Sequence, residues 1–240
     1  MAQDRIYSVP LKQVGSFVFD DKVVEVFPDM IARSVPGYAS IVGMTIELSK
    51  EYVRPDSNVY DLGCSLGAVA LPVAGAMPTN CNLVAVDSSQ AMIERLSSEV
   101  ATGDLGTQID LRLEDIRDTE IRNASFVVLN YTLQFVPLED RGPLLERIWS
   151  GMREGGALVL SEKVFVDDSE SQELLTTLHH SFKRANGYSD LEIAQKRTSL
   201  ENTLVPETVE THLTRMQEAG FGTAAVWFQC LNFASFLAVK

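Results

Sequence analysis

Three acidic residues and a glycine-rich turn stand at spacings typical of a site for a nucleotide-like ligand. The stretch DLGCSLG, residues 61–67, carries two glycines, which let the backbone approach a ligand closely because they have no side chain. Asp87 follows Gly63 by 24 residues, where nucleotide-binding α/β folds place the carboxylate that binds ribose hydroxyls. Asp115 precedes the apolar Ile116, and this pair can contact an adenine amino group and ring face.

The turn favours S-adenosylmethionine over a dinucleotide as the ligand. Residues 61–67 lack the GxGxxG spacing that holds a pyrophosphate at a helix N-terminus, so a nicotinamide cofactor is the weaker hypothesis. A domain with the same pattern that binds nothing is the other alternative. The positions expected at the carboxyl ends of the strands, where ligands bind open parallel sheets, are Gly63, Cys64, Ser65, Asp87, Ser88, Asp115, Ile116 and Asn130.

The elements that must position these residues follow from the hydrophobic pattern. From Asn58 onward, short apolar runs alternate with helical periodicity, which predicts a doubly wound, largely parallel sheet closed by an antiparallel hairpin. The predicted strands are residues 58–62, 82–87, 108–114, 124–130 and 157–160, followed by the hairpin runs 222–229 and 231–239. The predicted helices between them are residues 66–76, a helix opened by Ser88 and Ser89, 138–150, and one from Pro206 to Gly220.

Further helical segments precede the first strand and interrupt the sequence after the fifth strand. An arm, residues 1–20, and two helices that end at residues 34–37 and at Tyr52 form an N-terminal cap of residues 1–55. After the fifth strand, residues 168–203 form a helical insertion whose second helix starts with a capping box at Ser189. The whole chain, residues 1–240, is predicted to be a single domain.

Composition limits the classes of partner. The formal net charge is −13 with no dense basic run, which disfavours direct binding to the phosphate backbone of a nucleic acid. The three scattered cysteines fit neither a disulfide framework nor a zinc site, and His179 and His180 diverge by about 100° on a helix, so no metal is expected. No signal-peptide core and no apolar run near the roughly 18 residues of a membrane span is present, which indicates a cytoplasmic protein without a membrane segment.

Several longer motifs resemble one family. VFPDMI at 26–31, RSVPGY at 33–38, DLGCSLG at 61–67, LSEK at 160–163 and FKRANGYS at 182–189 are similar to carboxy-S-adenosyl-L-methionine synthases. The resemblance covers nearly the whole chain and implies a Rossmann-like methyltransferase fold with a seven-stranded sheet. It implies conversion of S-adenosylmethionine and prephenate to carboxy-S-adenosylmethionine and phenylpyruvate, with the product used by a separate enzyme to modify wobble uridine in tRNA.

The same resemblance implies a set of ligand contacts and a homodimer. The carried-over contacts are Tyr38, Gly63, Cys64, Ser65, Asp87, Ser88, Asp115, Ile116, Asn130 and Arg197. In the family the inserted region reaches the active site of the neighbouring chain. Tyr131 and Phe135, after the fourth strand, fit either the substrate face of the site or the core.

Arg197 is the expected carboxylate clamp. Carboxylating the sulfonium methyl adds a carboxylate that needs a cation, and a guanidinium can bind it bidentately. The alternative is that Arg197 lies on a solvated helix face beside Lys196. No side-chain acid or base is assigned, because hydroxide leaving prephenate can remove the methyl proton. A conventional small-molecule methyltransferase and a protein that only binds the cofactor are the competing functions.

Overall fold

The computed structural model describes residues 2–102, 109–201 and 203–240. Residue 1 of the predicted arm, residue 108 of the predicted third strand and residue 202 of the predicted insertion lie outside the described residues. Within the described residues, no helix is both long and apolar enough to cross a membrane.

Within the described residues, seven strands form one sheet, which confirms the predicted fold class. They are β1 (Asn58–Leu62), β2 (Asn82–Asp87), β3 (Ile109–Leu113), β4 (Ala124–Asn130), β5 (Met152–Lys163), β6 (Thr223–Cys230) and β7 (Phe233–Val239). Their order is β3-β2-β1-β4-β5-β7-β6. Strands β1 to β5 pair in parallel, whereas β7 is antiparallel to both β5 and β6. The strand order reverses between β1 and β4, and a crevice at such a switch point is the usual ligand site of open α/β sheets.

The described residues contain eight α-helices. They are α1 (Asp21–Ser34), α2 (Tyr38–Tyr52), α3 (Ala70–Ala76), α4 (Gln90–Thr102), α5 (Leu138–Gly151), α6 (Ser169–Ala185), α7 (Asp190–Leu200) and α8 (Val209–Glu218). Helices α1 and α2 form the N-terminal cap, and α6 and α7 form the insertion after β5. The capping box at the start of α7 is present: Ser189 and Glu192 satisfy each other's backbone N–H groups.

Two helix starts and one strand differ most from their predicted extents. Helix α3 begins at Ala70 instead of residue 66, because Ser65 and Gly67 adopt left-handed backbone conformations that extend the turn. Helix α8 begins after the cap Thr208 and not at Pro206. The preceding Glu207 forms a bridge with Val164 and ion pairs with buried Arg141, which holds this segment extended. Strand β5 also extends beyond the predicted run at both ends.

The core lies on both faces of the sheet. Every residue from Ala124 to Leu129 on β4 is buried, and successive side chains point to opposite faces. Phe126 packs in the cluster that contains Val73 of α3, whereas Val127 packs in the cluster that contains Leu144 of α5. Parallel strands covered on both faces have continuous apolar sequences, which is why β4 was predicted with correct bounds.

The N-terminal arm is attached to the insertion by long-range hydrogen bonds. The Gln195 side chain on α7 accepts from the backbone N–H of Leu11 at 2.7 Å, and the Phe17 backbone N–H donates to the Ser199 carbonyl at 2.9 Å. Near the start of the arm, the Tyr188 hydroxyl donates to buried Asp4 at 2.6 Å. Arm and insertion therefore form one cover over the carboxyl ends of the central strands.

Candidate functional site

A cavity of about 400 Å³ lies at the carboxyl ends of β1 to β5. Its size is within the range of small-molecule sites. Nine of the ten predicted contacts line it, namely Tyr38, Gly63, Cys64, Ser65, Asp87, Ser88, Asp115, Ile116 and Asn130. Tyr131 and Phe135, for which a core role was the alternative, also line it, whereas Arg197 does not.

The turn after β1 has a geometry that requires glycine. Gly63 has φ +86°, and a Cβ atom there would lie 2.2 Å from the Thr132 hydroxyl. Gly67 has φ +75°, and its Cβ atom would lie 2.6 Å from a methyl group of Leu96. Between them, Ser65 also adopts a left-handed conformation, at φ +47°. Such conformations are strained for residues with a side chain, so the two glycines are what allow the backbone to curve tightly beside the cavity.

Asp87, the last residue of β2, is oriented by backbone groups on both sides. Its carboxylate accepts from the Ser65 backbone N–H at 2.9 Å and from the Ser89 backbone N–H at 2.8 Å. Burial raises the pKa of Asp87, although these backbone hydrogen bonds act in the opposite direction. Each carboxylate oxygen keeps a further lone pair, so the group can accept from two neighbouring hydroxyls of a ligand.

Asp61 on β1 is the carboxylate of the glycine motif, and it is buried. It is 4% exposed and lines the cavity. Burial, with a smaller contribution from the charge of Asp87, raises the pKa of Asp61 to about 7. A cationic group in the cavity would favour the ionised form, because an opposite charge nearby lowers the pKa of a carboxyl group.

Asp115 is held in its ionised form by a neighbouring guanidinium. Arg117 donates to the Asp115 carboxylate at 2.7 Å and to Asp140 at 2.7 Å. The side-chain hydrogen bond from Arg117 lowers the pKa of Asp115. Arg117 lines the cavity, but its charge is already neutralised by these two carboxylates.

The end of β4 leaves polar atoms buried without partners. Among the described residues, neither the Asn130 Oδ1 atom nor the Tyr131 hydroxyl has a hydrogen-bond partner. Tyr131 has φ +62°, which is uncommon for a large residue and typical of functional sites. Burial raises the pKa of the adjacent Tyr38 to about 12, so this phenol stays neutral and can donate a hydrogen bond. Unpaired buried polar groups of this kind indicate a polar ligand.

Among the described residues, four basic side chains line the side of the cavity opposite Asp87 and Asp115. They are Lys163 at the end of β5, His179 and Lys183 on α6, and Lys196 on α7. Burial lowers all four pKa values, that of Lys183 to about 8, that of Lys196 to about 7 and that of His179 to about 3. Sequence reasoning missed this cluster. Lys163 could have been found, because it ends a parallel strand as Asp87 does.

Lys196 lines the cavity, whereas Arg197, the next residue on α7, lies outside it. Lys196 is buried at 8% exposure, donates to the Ser34 hydroxyl at 3.2 Å and lies 3.9 Å from Asp4. Arg197 is exposed on the outer side of α7 and lines a shallow surface pocket with His180. Its charge contributes to lowering the pKa of Lys163, so it lies near the cavity without entering it. A role of Arg197 in a neighbouring chain's site stays a prediction.

Comparisons with known proteins agree on one family. A family model described as a methyltransferase domain matches residues 59–156. The chain is 51% identical over 238 residues to the carboxy-S-adenosyl-L-methionine synthase of Vibrio campbellii, covering 99% of this chain and 97% of the relative. It is 49% identical over 239 residues to the protein of the same name from Photobacterium profundum, covering 99% of this chain and 98% of the relative.

Solved structures with lower identity share the fold. The structure of human N-acetylserotonin methyltransferase in complex with SAM has a TM-score of 0.61 and 17% identity, covering 92% of this chain and 55% of that protein. An O-methyltransferase family protein from Burkholderia thailandensis has a TM-score of 0.64 and 16% identity, covering 92% of this chain and 60% of that protein. At these identities the similarity shows the methyltransferase fold alone.

Proposed function

Because the chain belongs to the carboxy-S-adenosyl-L-methionine synthase family, we propose that it converts S-adenosylmethionine and prephenate to carboxy-S-adenosylmethionine and phenylpyruvate. The observation that carries this proposal is the division of one cavity into an acidic and a basic half. Asp61, Asp87 and Asp115 line the half under β1 to β3, and Lys163 and Lys183 line the half under β5 and α6. A cationic sulfonium substrate fits the first half, and a dicarboxylate fits the second.

The acidic half supplies the contacts for S-adenosylmethionine in this proposal. Asp87 accepts from the ribose hydroxyls, since two backbone N–H groups already orient it. Asp115 and the Ile116 backbone contact the adenine edge. The turn at Gly63, with Cys64 and Ser65, admits the amino-acid tail, whose ammonium group lies near Asp61. The remaining predicted contacts are Tyr38, Ser88 and Asn130.

The proposed reaction balances without a side-chain acid or base. When the ring carboxylate of prephenate leaves as carbon dioxide, its bonding electrons make the ring aromatic and expel hydroxide. Hydroxide removes a proton from the sulfonium methyl group, which gives water and an ylide. The ylide carbon then attacks carbon dioxide and forms the new carboxylate. The protein contributes proximity, exclusion of water and electrostatic stabilisation of that carboxylate.

The domain organisation, the cellular location, the oligomeric state and the use of the product are further parts of this proposal. We propose that the chain is a single-domain cytoplasmic protein that acts as a homodimer, with Arg197 of one subunit binding the new carboxylate in the other. The exposed position of Arg197 on α7 supports this arrangement. The product would serve a separate enzyme that modifies wobble uridine in tRNA. The net charge of −13 supports a chain that does not bind the tRNA itself.

Mass spectrometry tests the proposed function. The purified chain is incubated with S-adenosylmethionine, with and without prephenate, and the products are identified by mass. We expect a prephenate-dependent gain of one carboxyl group on the sulfonium compound, together with phenylpyruvate. Formation of S-adenosylhomocysteine with a methylated acceptor would show a conventional methyltransferase instead, and binding without turnover would show a carrier protein.

A further inference from the structure

Lys163 and Lys183 are cations in the cavity wall that have no anionic partner. Among residues 2–102, 109–201 and 203–240, neither ammonium group takes part in a hydrogen bond or ion pair, whereas Lys196 contacts Ser34 and Asp4. Burial lowers the pKa of Lys183 first, and the charge of Lys163 lowers it further. Two partly buried like charges are unfavourable unless an anion binds between them.

Glu162, which precedes Lys163 in the sequence, already accepts hydrogen bonds from other groups. Glu162 is fully buried, and its two oxygens accept from the backbone N–H groups of Leu133 and Gln134, both at 2.9 Å. It therefore supports the turn after β4 and is not a partner for Lys163. His179 adds no charge, because burial lowers its pKa to about 3 and its Nε2 atom lies 2.8 Å from the Ser34 carbonyl oxygen.

Aromatic rings border the lysine pair. The Phe233 ring lies 5.0 Å from the His179 ring and 6.0 Å from the Tyr131 ring, and all three line the cavity. The Tyr131 ring in turn lies 6.3 Å from the Tyr38 ring. A carboxylate site beside an aromatic surface matches an organic acid whose carboxylate and six-membered ring are joined by a short chain.

We propose that Lys163 and Lys183 together bind the keto-acid carboxylate of prephenate, the carboxylate that the reaction retains. This inference rests on the proposed function and adds the residues that hold the co-substrate. A cation pair on the ring carboxylate would oppose the reaction, because that carboxylate loses its charge as carbon dioxide leaves and only the ground state would be stabilised. Holding the retained carboxylate fixes the ring, keeps the two lysines away from the departing carboxylate and places that carboxylate close to the sulfonium methyl group that receives the carbon dioxide.

The test uses three lysine-to-methionine substitutions and one lysine-to-arginine substitution, each made singly in the full chain. Lys163→Met and Lys183→Met remove one charge each at similar side-chain length. Lys50→Met, at an exposed position of α2, is the matched control. For each variant we would measure the KM for prephenate and the Kd for phenylpyruvate, which keeps only the keto-acid carboxylate. We would also measure the Kd values for S-adenosylmethionine and carboxy-S-adenosylmethionine. Unchanged binding of S-adenosylmethionine would show that the variant is folded.

We expect KM for prephenate and Kd for phenylpyruvate to rise in parallel by about 10- to 100-fold in each cavity variant, as for the loss of one charged hydrogen bond. Lys183→Arg should restore most of the affinity. An active wild-type chain whose cavity variants keep the wild-type KM would contradict this inference alone. So would weaker binding of carboxy-S-adenosylmethionine with unchanged binding of phenylpyruvate. A wild-type chain that leaves prephenate unchanged would contradict the proposed function as well.

Discussion

The two halves of the cavity differ in how their charges are satisfied. In the acidic half, Asp87 accepts from two backbone N–H groups and Asp115 pairs with Arg117, all between residues 61 and 117. In the basic half, Lys163 and Lys183 come from a strand end and an inserted helix and have no partner among the described residues. Local structure therefore prepares the first half for its ligand, whereas the second half depends on the ligand for its counter-charge.

This difference predicts separate responses to substitution. Changes in the acidic half should affect binding of S-adenosylmethionine, because its carboxylates are already oriented for a cationic nucleoside. Changes in the basic half should affect the anionic co-substrate and leave S-adenosylmethionine binding unchanged. A substitution in one half that weakened both ligands equally would show that the halves form one coupled site.

The largest effect is expected for Asp87→Ala. Removing two charge-assisted hydrogen bonds to the ribose should weaken S-adenosylmethionine binding by more than about 100-fold. Calorimetric titration would measure the Kd, and Glu94→Ala on the exposed side of α4 is the control. Phenylpyruvate should bind this variant as it binds the wild type. A loss of affinity smaller than about tenfold would contradict the prediction that Asp87 binds the ribose hydroxyls.

A smaller effect, confined to one ligand, is expected for Arg197→Ala. The Kd for carboxy-S-adenosylmethionine should rise by about 10- to 100-fold, because a charged hydrogen bond to the new carboxylate is lost. The Kd for S-adenosylmethionine should not change. Arg184→Ala on the same surface pocket is the control. Equal losses for both ligands would contradict the carboxylate role.

Mixing the two variants would show which subunit supplies Arg197, provided that each has lost most of its activity when assayed alone. If the guanidinium crosses a dimer interface, Asp87→Ala and Arg197→Ala chains would form mixed dimers with one intact site. Activity should then recover to about a quarter of the wild-type value after subunit exchange, because about half of the dimers are mixed. No recovery from dimers shown to be mixed would place Arg197 in the site of its own chain.

The smallest effect is the pH dependence that Asp61 gives to the acidic half. Since the pKa of Asp61 is raised to about 7, lowering the pH below 7 protonates it and removes a charge that favours the ammonium group. S-adenosylmethionine affinity should fall by up to about tenfold per pH unit below that value. Asp61→Asn should bind S-adenosylmethionine more weakly than the wild type at pH 8 and lose this dependence. A wild-type Kd for S-adenosylmethionine that stays constant from pH 8 to pH 6 would contradict this role of Asp61.

The raised pKa of Asp61 also makes folding stability depend on pH. Stability should fall as the pH rises, whereas affinity for S-adenosylmethionine should increase. The folded ligand-free chain holds the Asp61 proton more tightly than the unfolded chain, in which the pKa of this carboxyl group lies near its ordinary value of 3.8. The contribution of Asp61 to stability is therefore complete below that value and is lost as the pH rises to about 7. Thermal unfolding of the wild type and of Asp61→Asn between pH 5 and pH 8 would measure it.

Some elements of the fold were predictable to the residue. Strands β1, β2 and β4 have the predicted bounds, because each is an apolar run buried on both faces and bounded by polar or turn-forming residues. The start of α3 was not predictable in this way. It depends on the left-handed conformations of Ser65 and Gly67, and side chains from other elements, Thr132 and Leu96, surround that turn.

By itself, the sequence determined the acidic half of the site. Gly63, Asp87 and Asp115 lie at the carboxyl ends of successive parallel strands, and these ends meet at one edge of a sheet whatever packs around them. Only the tertiary structure decided the basic half. Lys196 and Arg197 are adjacent and differ by about 100° around α7, so the packing of that helix against the arm and α6 decides which cation enters the cavity.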